Sequence, residues 1–221
     1  MRAMILAAGR GERLRPLTDK TPKPLIEVNG QSLISRHLKR LSQAGFRELV
    51  INTCHLGDLI QSTLGDGSEW GVQIRYSEEP DKALDTGGGI QQALKWLGNA
   101  PFAVINADIF TDFPLARLRA VKCNHAHVIM VPNPAHHPQG DWGIKGGRMK
   151  PDTEPLYTFS GISVYHPAFF NDAQAGRFSV VPMLVKAAQQ MQVTAELFKG
   201  EWNDIGTLER LEALRARYNQ Q

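Results

Sequence analysis

The chain has 221 residues, of which 42% are hydrophobic and 21% are charged. This is the balance of a folded globular protein, it excludes intrinsic disorder, and the length fits one α/β domain over residues 1–221. The formal net charge of +3 is too small to indicate a nucleic-acid partner. The apolar start ends at Gly9, and no apolar run of about 20 residues is present to span a membrane. Because Cys54 and Cys123 lack metal-ligand spacing, we expect reduced thiols in a soluble, cytoplasmic protein.

Apolar runs of strand length alternate along the chain with segments of helical periodicity. In chain order the pattern predicts a strand at Ala3–Ala7, a helix at Leu33–Ala44, a strand at Glu48–Asn52, a helix at Asp58–Leu64, a strand at Gln73–Ser77, a helix at Ile90–Leu97, a strand at Phe102–Asn106, a helix at Leu115–Ala120 and a strand at His127–Val131. A Pro-, Gly- and His-rich excursion over residues 132–155 follows, then a strand at Tyr157–Tyr165, a helix at Val181–Gln192, a strand at Val193–Phe198 and a helix from Thr207. This order predicts a Rossmann-like α/β fold with a mostly parallel sheet between helices. Ligands of such sheets bind at the carboxyl ends of the strands.

A glycine-rich basic loop follows the first predicted strand. Gly9 and Gly11 free the backbone for a close approach to a ligand, and successive N–H groups in such a turn form an anion site. Arg13 adds a forked guanidinium donor suited to phosphate oxygens. Lys23 stands between two prolines that stiffen its backbone. The loop lacks the Gly-Lys-Ser/Thr of a Walker A motif and the third glycine of the dinucleotide fingerprint. On these residues alone, a tight turn with a solvated basic rim stays open.

The string Leu-Ala-Ala-Gly-x-Gly-x-Arg-x-x-Pro-Leu-Thr-x-x-x-Pro-Lys-Pro, over residues 6–24, resembles the signature of the sugar-1-phosphate nucleotidylyltransferases. The resemblance implies the nucleotide-diphospho-sugar transferase fold, with a nucleoside triphosphate and a sugar 1-phosphate as substrates. It assigns catalytic roles to Arg13 and Lys23. The nucleotide-binding residues that it implies are Leu6, Ala8, Gly9, Gly11, Glu12, Arg13 and Lys23.

Two aspartates are candidate metal ligands. Asp108 follows the strand Phe102–Asn106, and Asp204 lies in Trp202-Asn203-Asp204-Ile205-Gly206-Thr207. Two carboxylates together with substrate phosphates are a usual way for a protein to hold Mg²⁺. Helix-cap or turn aspartates remain the alternative from local sequence. Both segments resemble the family's metal-ligand segments, which implies Mg²⁺ as cofactor, although Ala107 replaces the glycine usual before the first aspartate.

Further candidates come from glycine-rich segments. Gly87 and Gly88 open a predicted helix, and the resemblance places them against the nucleotide base; a flexible helix start is the alternative. Glu78 and Glu79 lie just before them and are either site residues or surface charges. A glycine inside a strand often marks a close approach of a ligand, which makes Gly161 a sugar-side candidate. The other sugar-side candidates are Asn106, Gly140 and Asp141.

The acceptor side departs from longer relatives, because their Glu-Lys-Pro motif with its phosphate-binding lysine is absent here. Lys145 or Lys150 could replace that lysine, or Lys23 could serve alone. His125, His127, His136 and His137 are spaced too loosely for a zinc site, and we expect them to be surface or core residues.

Three strings resemble the subgroup of N-acetylmuramate 1-phosphate uridylyltransferases of cell-wall (peptidoglycan) recycling. They are Asp-Thr-Gly-Gly-Gly-Ile at 85–90, Asn-Pro-x-His-His at 133–137 and Phe-Ser-Gly-Ile-Ser at 159–163. The resemblance implies UTP and N-acetylmuramate 1-phosphate as substrates. A hexose-1-phosphate guanylyl-, uridylyl- or thymidylyltransferase is the rival, and a nucleotide-sugar-binding regulatory subunit is the non-enzyme alternative. The chain ends soon after the Trp-x-Asp segment, so we expect no C-terminal β-helix, and a monomer is compatible with this length.

Overall fold

The computed structural model describes residues 1–79 and 82–218. Its strands are β1 Ala3–Leu6, β2 Glu27–Val28, β3 Gln31–Ser32, β4 Glu48–Thr53, β5 Gln73–Glu78, β6 Phe102–Asn106, β7 Ile109–Thr111, β8 Ala126–Val131, β9 Trp142–Lys145, β10 Arg148–Lys150, β11 Leu156–Tyr165, β12 Val193–Leu197 and β13 Trp202–Asp204. Its α-helices are α1 Leu33–Gln43, α2 Gly57–Leu64, α3 Asp85–Leu97, α4 Val181–Gln189 and α5 Leu208–Tyr218. The segment Leu115–Ala120 is helical as predicted, but in the tighter 3₁₀ form.

The main sheet has nine strands in the order β5-β4-β1-β6-β11-β8-β12-β10-β9. All of them except β10 and β11 run in the same direction, which confirms the mostly parallel sheet. From β1 the chain builds outward through β4 to β5 and then returns to place β6 on the other side of β1. The carboxyl end of β1 is therefore a topological switch point, where open α/β sheets bind their ligands.

Alternate residues of β1 pack on opposite faces of the sheet. Ala3 and Ile5 belong to an apolar cluster with α1 and α2, whereas Met4 belongs to a second cluster with α3 and α4. Burial on both faces explains why β1 is apolar throughout rather than alternating with polar residues. The two clusters confirm the prediction of helices on both faces.

Helix α1 begins where its sequence provides a cap. The Ser32 hydroxyl accepts a hydrogen bond from the Ser35 N–H at 3.2 Å, which satisfies one of the first helical donors. Its buried residues Leu33, Leu38 and Leu41 form the stripe that the periodicity predicts, and the helix stops before Gly45 with φ +84°. A left-handed glycine at this point is the usual helix end.

Helix α3 begins at Asp85, five residues before the periodicity starts at Ile90, and it includes the glycines that were expected to open it. Its three glycines form the first turns of the helix and are buried. A Cβ on Gly87 would lie 2.3 Å from the Phe178 ring, and one on Gly88 would lie 2.1 Å from the Gly176 carbonyl oxygen. The glycines are therefore required because the segment at residues 176–178 crosses the helix closely.

Two small strand pairs outside the main sheet were not predicted. Strands β2 and β3 form a hairpin through Asn29 and Gly30, which have φ +51° and +67°, the Asn-Gly turn that favours a hairpin. Strand β7 pairs with β13, aligning Ile109 with Asp204. Among the described residues, none of the helices is long and apolar enough to cross a membrane.

A third apolar cluster fixes α5 against the loop that follows β1. Leu14 of that loop packs with Phe110, Ile205 and Leu211, all of them buried. This packing holds the N-terminal loop and the start of α5 next to each other. Arg13 and Arg210, which neighbour Leu14 and Leu211 in sequence, are thereby brought to one region of the surface.

Candidate active site

A pocket of about 210 Å³ opens at the switch point. We call it pocket A; the residues that line it include Leu6, Ala8, Gly9, Gly11, Lys23, Asn52, Glu79, Asp85, Thr86, Asn106 and Asp108. They come from the carboxyl ends of β1, β4, β5 and β6 and from the start of α3. The position agrees with the expectation from the sheet topology. Residues 80 and 81 of the segment between β5 and α3 lie outside the described residues.

The loop after β1 leaves room for a ligand at Gly9. A Cβ on Gly9 would meet no atom within 4 Å. Within the described residues, the N–H groups of Ala8 and Gly9 have no acceptor from the protein. Free N–H groups at a strand end attract anions. Gly11, with φ +70°, instead has a packing role, because a Cβ there would lie 2.9 Å from the Thr18 methyl group.

The basic residues of this loop have different partners. Arg10 donates to the Thr18 carbonyl at 2.6 Å and to Asp19 at 2.7 Å, and Arg15 also pairs with Asp19 at 2.9 Å. The Arg10 hydrogen bond lowers the pKa of the Asp19 carboxyl. Arg10 and Arg15 therefore brace the loop. Glu12, exposed at the rim, lines a further pocket that adjoins pocket A at Ala8 and Gly9.

Lys23 reaches the floor of pocket A and forms an ion pair with Asp108. Its side chain is 12% exposed, and that of Asp108 is 33% exposed. Pro22 is extended and Pro24 follows Lys23 in a short 3₁₀ turn, so the backbone holds the lysine stem in place. The structure thus joins two predicted residues that are 85 positions apart in sequence.

A second cavity of about 370 Å³ adjoins pocket A at Asn106 and Asp108. We call it pocket B; the residues that line it include Arg13, Asn106, Asp108, His136, His137, Asp141, Gly161, Trp202, Asp204 and Arg210. The β7–β13 pair brings the two predicted metal ligands to its wall, since the Ile205 N–H donates to the Asp108 carbonyl at 2.9 Å. Asp204 contacts Arg210 Nη1 at 2.7 Å and His136 Nε2 at 2.9 Å.

The predicted sugar-side residues mostly meet in pocket B. Asp141 accepts from the Phe159 N–H at 2.7 Å and contacts His137 Nε2 at 3.1 Å. Gly161, with φ +76°, lies at a bulge of β11, where a Cβ would be 2.6 Å from Asn106 Nδ2. Gly140 does not line the pocket; its φ of +69° forms the turn before Asp141, against the side chain of Asn133.

Gly87 and Gly88 do not line pocket A. Their N–H groups donate to the Phe178 carbonyl at 2.9 and 3.1 Å, and the helix start is covered by that segment. At this place the wall of pocket A is formed by the preceding residues Asp85 and Thr86. The two glycines are therefore not on the wall of pocket A, although the resemblance implied that they contact the nucleotide base.

Lys145 and Lys150 are likewise outside both pockets, in the β9–β10 hairpin. The basic groups that border pocket B are instead His136, His137, Arg13 and Arg210. The histidines were expected to be surface or core residues, and Arg210 was not predicted as a site residue. The adjacent histidines in a loop between strands were the signal for the first two. No local signal marked Arg210, which is placed by the packing of α5.

Glu79 anchors a network beneath pocket A. Asn52 Oδ1 accepts from the Ala7 N–H at 2.7 Å, and its Nδ2 donates to Glu79 Oε1 at 2.7 Å. The Leu84 N–H donates to Glu79 Oε2 at 2.6 Å. Burial raises the pKa of Glu79, and the bonds from Asn52 and Leu84 oppose that rise. Glu79 is thus no loose surface charge, whereas Glu78 is exposed.

The residues present suit a hard divalent cation. Asp108 and Asp204 offer two carboxylates on one cavity wall, and Mg²⁺ binds through one or two carboxylates plus substrate phosphates. Both carboxylates have cationic groups beside them, Lys23 on Asp108 and Arg210 on Asp204. Within the described part of the chain, no cluster of three or more His, Cys, Asp or Glu side chains has metal-binding geometry. A cation here would therefore depend on a ligand for its other oxygens.

An α/β sheet with its cleft at a switch point, free N–H groups and a lysine–carboxylate pair is suited to binding the phosphates of a nucleotide. The chain belongs to the nucleotidyl transferase family, whose sequence profile matches residues 2–221.

Comparison with individual proteins agrees with this family. The chain is 45% identical over 225 residues to the N-acetylmuramate alpha-1-phosphate uridylyltransferase of Neisseria meningitidis serogroup B (strain ATCC BAA-335 / MC58), covering 98% of this chain and 97% of that protein. It is 33% identical over 232 residues to the protein of the same name from Caulobacter vibrioides (strain ATCC 19089 / CIP 103742 / CB 15), covering 97% and 96%.

Among solved structures, a provisionally assigned glucose-1-phosphate thymidylyltransferase from Bacillus anthracis superposes with a TM-score of 0.85 at 23% identity, covering 100% of this chain and 96% of that one. At this identity the likeness establishes the fold alone. The chain has the nucleotide-diphospho-sugar transferase fold, as the sequence predicted.

Proposed function

We propose that the protein transfers the uridylyl group of UTP to N-acetylmuramate 1-phosphate, giving UDP-N-acetylmuramate and pyrophosphate. The observation that carries the reaction class is the meeting of Lys23, Asp108 and Asp204 where pocket A joins pocket B. The 45% identity to the meningococcal protein over nearly the whole chain supports the choice of base and sugar.

In this proposal the nucleotide occupies pocket A. Its phosphates lie against the free N–H groups of Ala8 and Gly9, with Arg13 reaching them from the neighbouring wall. The base lies toward Asp85 and Thr86, above the network of Asn52 and Glu79. Because Glu79 is bonded on both oxygens, its role here is to fix the pocket's shape rather than to exchange protons.

The acceptor sugar occupies pocket B. Asn106 borders both pockets, and the lack of a side chain at Gly161 leaves space for the Asn106 amide. A sugar in pocket B would therefore face this amide. Asp141, fixed by the Phe159 N–H, offers an oxygen to sugar hydroxyls. Trp202, held by its Nε1–H on the Ser160 carbonyl at 2.9 Å, supplies an apolar wall.

The chemistry needs no general base from the protein. An acceptor phosphate oxygen attacks the α-phosphorus of UTP in line, a P–O bond to the sugar phosphate forms, and the bond to the bridging oxygen of pyrophosphate breaks. The second pKa of a phosphate is about 6, so the nucleophile is already ionised at neutral pH. The protein supplies positioning and positive charge. Lys23 exchanges Asp108 for the α-phosphate oxygens and stabilises the charge that develops there.

Mg²⁺ held by Asp108 and Asp204 would supply charge neutralisation at the reacting phosphates. We further infer that residues 1–221 act as one catalytic domain, supported by the nine-stranded sheet that draws strands from both halves of the chain. The proposed product is a cytoplasmic nucleotide sugar of cell-wall recycling.

Pyrophosphate release with Mg²⁺ tests the proposal across UTP, dTTP, GTP and CTP. Each is paired with N-acetylmuramate, N-acetylglucosamine, glucose and mannose 1-phosphates. We expect release with UTP and the muramate at a kcat/KM at least roughly tenfold above any other pair. Faster release with a hexose 1-phosphate would support the reaction class but reject N-acetylmuramate 1-phosphate as the substrate. If no pair gave pyrophosphate, the proposed uridylyltransferase activity would be contradicted and a nucleotide-sugar-binding subunit favoured.

A further inference from the structure

The proposed acceptor carries anionic groups that pocket B must neutralise, yet the two lysines expected for this role lie elsewhere. Arg210 is the most enclosed cation on the pocket wall, with a side chain that is 20% exposed. It projects from the first turn of α5, which is fixed by the buried Leu211 and Leu214. Its position is therefore set by the fold rather than by a mobile loop.

Arg210 is only partly used by its protein partners. Its Nη1 contacts Asp204 at 2.7 and 2.8 Å and His136 Nε2 at 2.5 Å. Its Nε also lacks a hydrogen-bond partner among the described residues, but this atom is buried and closed to a ligand. Nη2 takes part in no hydrogen bond among the described residues, so it retains its capacity for a further acceptor.

Gly206 lets two guanidinium groups approach one another. A Cβ at Gly206 would lie 2.0 Å from Arg210 Nη2 and 2.9 Å from Arg13 Nη2. Over the described residues, no carboxylate pairs with Arg13, so Asp204 alone balances the two arginines. Two close positive charges with one counter-charge leave a net positive charge, and a bound anion would neutralise it.

We propose that Arg210 binds an oxyanion of the acceptor sugar, with Arg13 across Gly206 reinforcing the positive field. The inference rests on the proposed function and adds to it the side chain that recognises the acceptor sugar. The shared ligand chemistry is a phosphate or carboxylate oxygen, both of which the proposed acceptor carries. If that oxyanion is the phosphate, Arg210 takes the place of the phosphate-binding lysine of longer relatives.

Calorimetry in the presence of the non-reactive analogue α,β-methylene-UTP and Mg²⁺ tests the proposal. The ligand is N-acetylmuramate 1-phosphate, and the proteins are wild type, Arg210→Met and the control Arg217→Met, an exposed arginine on the same helix. Because a charged hydrogen bond is lost, the acceptor Kd of Arg210→Met should rise roughly ten- to a hundredfold. The analogue's Kd and every constant of Arg217→Met should stay within about twofold.

Two further ligands identify the oxyanion. N-acetylglucosamine 1-phosphate has the phosphate without the lactyl carboxylate, and free N-acetylmuramate has the carboxylate without the phosphate. If Arg210→Met raises the Kd of N-acetylglucosamine 1-phosphate, Arg210 binds the phosphate. If it raises the Kd of free N-acetylmuramate, Arg210 binds the carboxylate.

An unchanged acceptor Kd in Arg210→Met, with a higher Mg²⁺ requirement, would overturn the inference, since Arg210 would then act only by holding Asp204. If Arg210→Met does not fold, Arg210→Lys keeps a cation beside Asp204 and removes Nη2, and its acceptor Kd should rise severalfold. An unchanged Kd for that variant would also overturn it. If the wild type bound the acceptor but gave no turnover, the proposed function would be rejected. The Kd values of wild type and Arg210→Met would still show whether Arg210 binds the acceptor.

Discussion

At the scale of single residues, the site depends on charges placed by the backbone. Lys23 is held between two prolines and its largely covered side chain pairs with Asp108, so its ammonium group has few alternative positions. A cation fixed in this way requires little reorganisation when charge develops nearby. The proposed chemistry therefore relies on Lys23 more heavily than on the exposed arginines of the same loop.

Replacement of this lysine gives the first prediction. Lys23→Ala should lower kcat by about two orders of magnitude or more, as for single electrostatic contacts in other enzymes. Steady-state pyrophosphate release measures the effect, with Lys145→Ala in the β9–β10 hairpin as control. A Lys23→Ala enzyme that retained near-normal turnover would disprove the assigned role.

Asp108 gives the second prediction. Asp108→Asn preserves the side-chain size but removes the charge, so turnover should fall by about a hundredfold or more, and half-maximal activity should need more Mg²⁺. Direct Mn²⁺ binding followed by electron paramagnetic resonance, with nucleotide present, measures the metal affinity independently of turnover. Asp112→Asn, an exposed carboxylate just beyond β7, is the control. Equal Mn²⁺ affinity in Asp108→Asn and wild type would exclude Asp108 as a metal ligand.

At the scale of elements, the bulge in β11 couples the sheet to the acceptor pocket. Gly161→Ala places a Cβ at φ +76° and 2.6 Å from Asn106 Nδ2. Strain at such a φ costs about 1–3 kcal/mol, so the Tm should fall, and the displaced Asn106 should raise the acceptor KM. Gly146→Ala has a similar φ of +58° but no atom within 4 Å of the added Cβ. It should lower the Tm while the KM stays normal; equal KM values for the two variants would contradict this reading of Gly161.

Helix α1 carries a buried histidine behind β7. Burial lowers the pKa of His37 to about 4 from an ordinary 6.5, and Arg40 adds to this fall, while the Ile109 backbone and Asp108 oppose it. Since the unfolded chain binds this proton more readily, His37 favours folding above pH 6.5, and that contribution is lost as the pH falls toward 4.

The slope expected from His37 is about 1.4 kcal/mol per pH unit. His37→Leu should flatten the fall of the unfolding free energy between pH 6.5 and pH 4.5, which urea unfolding at several pH values measures. His125→Leu, for a histidine that is only half-buried, should keep the wild-type profile. An unchanged slope in His37→Leu would show that other groups govern acid unfolding.

At the scale of the whole molecule, the sequence predicted the order of the main strands and helices because each has its own apolar period. Both faces of β1 are buried, so its run is uniformly apolar, and α1 shows its cap and its stripe directly. The motif of residues 6–24 likewise located Gly9 and Lys23 on the wall of pocket A.

The parts that were missed depend on contacts between distant segments. The β7–β13 pair is too short for a periodicity, yet it brings Asp108 beside Asp204. Residues 176–178 cross α3 so closely that Gly87 and Gly88 are required for packing. No local sequence pattern shows this contact. Arg210 enters pocket B only because α5 packs on Leu14. The Asn29-Gly30 hairpin was also not predicted, although the Asn-Gly pair is a local signal for such a turn.

The proposed reaction transfers the α-phosphorus of the nucleotide to the acceptor. Two parallel reactions with N-acetylmuramate 1-phosphate, one with [α-³²P]UTP and one with [γ-³²P]UTP, test this transfer when the products are separated by chromatography. We expect the α-label in a UDP-sugar and the γ-label in pyrophosphate. Label from the γ-position in the sugar product, or from the α-position in free UMP, would contradict it.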